Sequence, residues 1–266
     1  MIEQDYLEAL DALQWLRTGE EVYKRFELTQ SSVSRKCHKT LAVFKIGLQR
    51  IQGEWCTIGD PSLLLLERRV HQHARFQGQR RLRLEATYWS GPLLCTPTPG
   101  RWLLGLTNIV GVARNFQLVR ERIVDACLIG LPDLPALDDP DLTAIVLSSM
   151  PVFFVARSDH PLVGRHDLCF QDIAAYPTLG VSGGAYPLVE KALGAIGLGN
   201  DPLSLEICGG DLVRLPLELP FRSGEAIVVR REFATHPELL ALREELLARL
   251  AHWATRHPEL RLVEPA

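Results

Sequence analysis

At Leu82 the hydrophobic period of the chain changes, and that change limits the folds open to it. Before it, apolar residues recur every three or four positions: Tyr6, Leu10 and Leu13 within residues 3–17, then Val33, Cys37, Leu41 and Phe44. Such spacing puts them on one face of a helix. From Leu82 the chain alternates, with Leu82, Leu84 and Ala86 set between Arg83, Glu85 and Thr87, the pattern of a strand with two distinct faces. Further strand candidates at residues 104–109, 123–130, 144–148, 152–156, 178–181, 203–208 and 226–229 are separated by helical stretches at 113–122, 186–196 and 237–253. An all-α head therefore precedes an α/β part, and ligands of such sheets collect at the carboxyl ends of the strands.

The 266 residues are 47% hydrophobic and 23% charged, an ordinary globular mixture that excludes a disordered, fibrous or disulfide-scaffold protein. Net charge is −3, but it is unevenly spread. Residues 1–83 hold 14 Lys and Arg against 10 Asp and Glu, whereas residues 84–266 hold 15 against 22. Between Tyr23 and Arg50 seven cations face only Glu27, the asymmetry expected when one module meets a polyanion. Cys37, Cys56, Cys95, Cys127, Cys169 and Cys208 form no C-x-x-C pair, so zinc ribbons and thioredoxin motifs are excluded. His71-x-His73 lies on a predicted helix at a spacing that does not share a face, so no metal and no cofactor is expected. The acidic start Met1–Asp5 is no secretory signal, and the longest nearly uncharged apolar run, residues 102–113, is too short for a bilayer. The chain reads as cytoplasmic, with reduced cysteines and no membrane partner.

Within the head, Thr18-Gly19-Glu20-Glu21 has the form of a capping box opening a short second helix that buries Val22 and Phe26. Thr29 is placed to cap a third helix. One face of it is apolar, and the other carries Ser31, Arg35 and His38. Helix, turn, and a helix that starts with small polar residues suit a major groove, where Gln and Arg offer bidentate donors and flanking Lys and Arg neutralise phosphates. Gln30, Ser31, Ser34 and Arg35 are the candidates for base edges, Thr29, Lys36, Lys39 and Arg50 for phosphates, and Ser32 is a further DNA-binding candidate. The plain alternative is a solvated helix face. After the cap Asp60-Pro61, helix-compatible sequence runs over residues 62–80, about 28 Å, with Leu63, Leu66, Val70 and Ala74 in one stripe.

Leu28-Thr29-Gln30-Ser31-Ser32-Val33-Ser34-Arg35 resembles the helix-turn-helix signature of the LysR-type transcriptional regulators. Leu48-Gln49-Arg50 and Cys56-Thr57 are similar to that family's wing. Arg122–Ile129, the turn His160-Pro161-Leu162 and the run Asp172–Pro177 resemble pieces of its sensor domain, so the likeness extends over most of the chain. What the resemblance implies is a winged helix-turn-helix over residues 1–59, a linker and dimerisation helix over 60–81, and an effector-binding domain over 82–266. That last part would be periplasmic-binding-protein-like, with two Rossmann-like subdomains closing on a small molecule, a carboxylate being one candidate. It further implies double-stranded DNA as partner, a homodimer or homotetramer, contact with RNA polymerase, and no catalysis. The family's cleft positions fall on Tyr88-Trp89-Ser90, Ser148-Ser149-Met150 and Val181-Ser182-Gly183, making Trp89, Ser90, Ser148, Ser149, Ser182 and Gly183 the expected effector residues. Pro92, Pro97 and Pro99 leave no room for a full crossover helix after the first strand, and residues 209–224 read as an abbreviated tail.

Two other functions fit parts of the sequence. Gly180-Val181-Ser182-Gly183-Gly184 matches the G-x-S-x-G elbow of serine hydrolases, with Asp211 and His236 following in the right order, which would make Ser182 a nucleophile. No oxyanion motif precedes it, and His236-Pro237 more naturally opens the last helix. The same turn can instead be read as a helix start whose free N–H groups at Gly183, Gly184 and Ala185 attract an anion. The third reading is an α/β binding or interaction protein whose head does not read DNA.

Overall fold

The computed structural model describes residues 3–108, 111–177, 183–198 and 212–263. The periodic head forms three helices, α1 (Gln4–Leu16), α2 (Gly19–Phe26) and α3 (Gln30–Phe44), followed by an antiparallel wing of β1 (Gly47–Ile51) and β2 (Glu54–Ile58). Arg17 in the left-handed conformation ends α1, so Gly19 opens α2 rather than closing its predecessor. Of the expected capping box only half is made. Thr18 Oγ1 accepts from Glu21 N (3.2 Å), while the Glu21 carboxylate turns outward to Lys24 and Arg25.

The linker α4 (Ser62–Phe76) is one turn shorter than the sequence suggests. Gly78, at φ +88°, supplies the left-handed turn that stops it, with Gly78 N donating to Arg75 O. Next come β3 (Leu82–Ala86), the short α5 (Ser90–Leu94), β4 (Trp102–Leu104), α6 (Ala113–Arg120), β5 (Ala126–Gly130) and β6 (Leu142–Val146). The segment predicted as a strand at 104–109 therefore lies earlier. The expected strand at 144–148 is divided at Leu147 between β6 and β7 (Ser148–Arg157). After α7 (Phe170–Ala174) and α8 (Pro187–Ala195) come β8 (Leu212–Ser223) and β9 (Glu225–Arg230), then α9 (Pro237–Ala254) and β10 (Arg261–Leu262). The predicted strands at 178–181 and 203–208 lie on or across residues outside the described ones.

Two sheets organise the α/β part. A mixed sheet in the order β4-β3-β5-β9-β6 has β3 parallel to β4 and β5, with β9 antiparallel to its neighbours. A smaller antiparallel sheet runs β10-β7-β8. The chain crosses between them twice, at Leu147 and at Gly224. There Leu147 N donates to Glu225 O (2.8 Å), and Gly224, at φ +154°, lies so close to Ser148 that a Cβ would stand 2.1 Å from its carbonyl oxygen. Only glycine lets the crossings touch.

In the described part of the tail expected to be abbreviated, residues 212–224, the single strand β8 leads directly to β9. Pro216 and Pro220 interrupt its sequence pattern, but β8 is an edge strand of its sheet, where a missing N–H costs no ladder bond, and its pairing with β7 slips at two irregularities.

β3 has the two distinct faces its alternation predicts, and both are interior: Arg83 is 2% exposed and Glu85 fully buried. The head covers these two residues. α1 lies over that face of the mixed sheet, and Leu7, Leu10, Trp15 and Leu16 share one core with Leu118, Ile123, Val124 and Ile129 of the sensor. The opposite face packs Phe76, Phe233 and the α9 residues Leu239, Leu242 and Leu246.

Candidate nucleic-acid interface and effector cleft

α3 is capped by Thr29, whose Oγ1 accepts from Ser32 N (3.4 Å), and its stripe Val33 and Cys37 is buried against α1. Thr40 is buried too, satisfied by donating to Lys36 O (3.0 Å). Burial, with Asp11 nearby, pushes the Cys37 thiol up to about 12, so it serves as core and not as a nucleophile. Gln30, Ser31, Ser34, Arg35 and Lys39 are exposed along one side of α3, and Ser32 and Lys36 are half-buried at its edge.

Two cations rest on a head aromatic. Lys39 Nζ donates to Tyr6 Oη (3.2 Å) and sits 5.1 Å from that ring's centre, and Lys36 lies 5.8 Å from it. Arg50, on the wing, donates from Nε to Gly53 O (3.2 Å) over Trp55. Between α3 and the wing runs a cavity of about 510 Å³ with Gln30, Ser34, His38 and Arg50 around it and Leu41 and Trp55 at its apolar base. All nine residues expected to touch DNA thus lie on α3, at its cap or on the wing, and the head's attachment to the sensor leaves them uncovered.

That attachment is polar at its centre. Trp15 Nε1 donates to Glu85 Oε2 (2.6 Å), Arg25 Nε to Leu104 O (3.0 Å), and Arg68 Nε of α4 to Asp11 Oδ1 (2.8 Å). Arg75 of α4 grips Asp125 just before β5, with Nε 2.9 Å from Oδ2 and Nη2 2.8 Å from Oδ1. Head, linker and sensor are joined by buried charge pairs that periodicity alone does not reveal.

On the cleft side, Trp89 is 41% exposed and Tyr88 54%, with ring centres 4.7 Å apart. Ser90 and Ser148 are buried. Ser90 Oγ donates to Glu225 Oε2 (2.7 Å), and Ser148 Oγ accepts from Glu225 N (3.1 Å). These two expected effector residues therefore come together on Glu225, Ser90 at its carboxyl and Ser148 at its backbone N–H, so both hydroxyls are engaged within the chain. Burial pushes that carboxyl up to about 7, against the pull of the Ser90 hydrogen bond. A lone acid ahead of the apolar run Ala226–Val229 was the only sequence signal for it. Ser149 Oγ accepts from Arg222 Nε (2.6 Å), a second residue that was not foreseen. Gly183 is exposed, and Ser182 lies outside the described residues.

The anion seat expected at residues 183–185 is not formed there. α8 begins later, at Pro187, and its N-terminal N–H groups are taken by the chain's own acids. Leu188 N donates to Asp133 Oδ1 (2.7 Å), and Tyr186 N to Glu190 Oε1 (3.2 Å). Nor is His236 placed as a base: it caps α9, accepting from Glu238 N (3.2 Å), with Phe76 and Phe233 against its ring.

Among the described residues no group of three or more His, Cys, Asp or Glu could hold a metal, and no helix is long and apolar enough to cross a membrane. Residues 109–203 match a family profile described as the LysR substrate binding domain. That stretch, from before α6 to beyond α8, is what the chain shares with this family's domain. Solved structures extend the likeness of fold to nearly the whole chain. Full-length OxyR from Pseudomonas aeruginosa is 16% identical with a TM-score of 0.51, over 92% of this chain and 95% of that one. A probable transcriptional regulator from the same organism is 13% identical with a TM-score of 0.55, over 93% and 97%. The reduced form of OxyR from N. meningitidis is 13% identical with a TM-score of 0.51, over 69% and 99%. No curated protein matches the sequence.

Proposed function

We propose that this chain is a sequence-specific, DNA-binding transcriptional regulator controlled by a small-molecule effector and acting in the cytoplasm. In this reading residues 1–59 are the winged helix-turn-helix, 60–81 the linker and dimerisation helix, and 82–266 the effector domain. The observation that carries it is the exposed face of α3. Gln30, Ser31, Ser34 and Arg35 are exposed on it, flanked by Lys36, Lys39 and the wing's Arg50, while the apolar face of the head packs into its own core and onto the α/β part. Gln30 and Arg35 would read base edges, and Thr29, Ser32, Lys36, Lys39 and Arg50 would hold phosphates. Trp89, Ser149, Ser182 and Gly183 would meet the effector, with Ser90 and Ser148 positioning Glu225 behind them.

Selection from a random duplex pool at about physiological salt tests the DNA reading, because there sequence-independent attraction is weakened. The expected product is an interrupted palindrome; a pool that stays random overturns it. On the selected site Arg35→Ala costs about 1–3 kcal/mol, with a much smaller loss on random duplex. Equal losses on both would remove the base-reading role.

A two-fold complex is supported by α4. One face of it is buried in its own chain, but Leu63, Leu66 and Val70 are 63%, 61% and 56% exposed in a single stripe, a surface suited to a second copy of the helix. Leu66→Asp is expected to give a monomer in sedimentation with an unchanged circular dichroism spectrum. A variant that stays dimeric would move the interface elsewhere. Tetramer formation and contact with RNA polymerase belong to the same proposal, as steps built on that dimer.

A further inference from the structure

The turn after α6 holds an arginine where the backbone favours glycine. Arg122 N donates to Val119 O (3.0 Å) and Ile123 N to Leu118 O (3.0 Å), which closes the helix end and sets Arg122 at φ +61°. A long side chain is disfavoured in that left-handed conformation, so its retention calls for a use of the side chain. Arg122 lines a cavity of about 210 Å³ together with Arg69 of α4, Arg230 at the end of β9, Arg231 just after it, Asp141 and Glu232. Four guanidiniums meet two carboxylates there, an excess of two positive charges.

The pairing within the cavity is crowded. Glu232 alone serves Arg122 Nη1 (2.6 Å), Arg230 Nε (3.3 Å) and Arg69 Nη2 (3.3 Å), with His73 Nε2 at 3.8 Å. Asp141 takes Arg230 Nη2 (2.6 Å), and Arg231 spends its donors on the carbonyls of Leu137, Asp139 and Leu142, with no carboxylate of its own. The Arg122 guanidinium is 9% exposed; burial first, then the neighbouring Arg230 and Arg69, make its charge harder to hold. Gln72 Oε1 also accepts from Arg122 Nη1 (2.6 Å) and Arg120 O from Arg230 Nη1 (3.0 Å), so what the cavity lacks is negative charge, which a tetrahedral oxyanion carries in a form these forks can bind.

We propose that this cavity binds a small dianionic oxyanion of the phosphate class, either inorganic phosphate or a small phosphomonoester, tying α4 to the sensor beside β9. It would stabilise the linker helix in its docked position, away from the effector cleft. The test follows thermal unfolding of the full chain in phosphate-free buffer while inorganic phosphate replaces chloride at constant ionic strength. A saturable rise in Tm is expected, about 3 °C when phosphate is ten times its dissociation constant. Arg69→Gln, at a side chain 57% exposed and held by one carboxylate, keeps the fold and weakens phosphate affinity about tenfold. A rise that does not saturate, or that is the same in Arg69→Gln, overturns the site. Duplex binding in phosphate-free buffer separates a free phosphate anion from the phosphates of the DNA backbone. Affinity unchanged by Arg69→Gln is expected, and a loss as large as that for phosphate would assign the cavity to the DNA backbone and overturn the free-anion proposal.

Discussion

Asp11→Ala is expected to lower the stability of the whole chain by about 3–5 kcal/mol in urea unfolding. Asp11 lies on α1 with 1% of its side chain exposed, and its two oxygens accept from Arg68 Nε (2.8 Å) and Arg83 Nη1 (3.3 Å). Those arginines are 1% and 2% exposed, and they belong to the linker and to the sensor sheet. Removing the carboxylate leaves Arg68 with Glu121 (3.1 Å) as its remaining acid and Arg83 with the more distant Glu8 (3.6 Å). Arg83 already carries its charge at a disadvantage, since burial and the adjacent Arg75 both oppose it, and its Nε is buried without an acceptor. Losing one partner of a buried network costs more than the network's net worth, because uncompensated charge stays inside. The wild-type chain is expected to melt in one transition, and Asp11→Ala in two, the head separating first. A loss below about 1 kcal/mol with a single transition retained would show that apolar packing alone holds the head in place.

The second large effect is a pH dependence that originates at Glu225. Its carboxyl is held at about 7 in the folded chain, against an ordinary 4.5. The folded state therefore binds the proton more tightly than the unfolded one. The resulting stability is fully present below about pH 4.5 and is lost as pH rises through 7, in total about 3 kcal/mol. Glu225→Gln removes that dependence and keeps a hydrogen-bonding group beside Ser90. The measurement is urea unfolding of both proteins at pH 5 and pH 8. The variant is expected to gain on the wild type by about 3 kcal/mol between the two values. A constant difference between the proteins would mean that the carboxyl ionises as an exposed one does. Because Glu225 sits beside Ser148 at the crossing of the two sheets, the same titration reports on that crossing.

The parts of this architecture that are local were legible in residues close together in sequence. The stripe Val33–Cys37–Leu41, the Thr29 cap and the cations around Arg35 are each decided within a few helical turns, and α3 and the wing have the form they imply. The strand–helix alternation after Leu82 likewise produced an α/β sensor with β3, β5 and β9 at or within the predicted positions. Misreadings arose where a neighbour distant in sequence changes the meaning of a residue. Gly183, Gly184 and Ala185 read as an anion seat at a helix start, but α8 begins only at Pro187, where Asp133 from another loop takes the Leu188 N–H. Ser90 and Ser148 read as ligand contacts until Glu225 stands between them.

Periodicity, capping and charge are properties of short stretches of chain, and they place a mainly helical, cationic head before an α/β part; the expected all-α head also carries the two-stranded wing β1–β2. How head and α/β part are joined depends on residues far apart in the chain. Arg83 and Glu85 alternate with apolar residues as a solvated strand face would, yet α1 lies on them and supplies Asp11 and Trp15 as partners. Polar side chains lose their hydration when two domains meet over them, so whether such a face is surface or interior depends on what arrives from elsewhere in the chain.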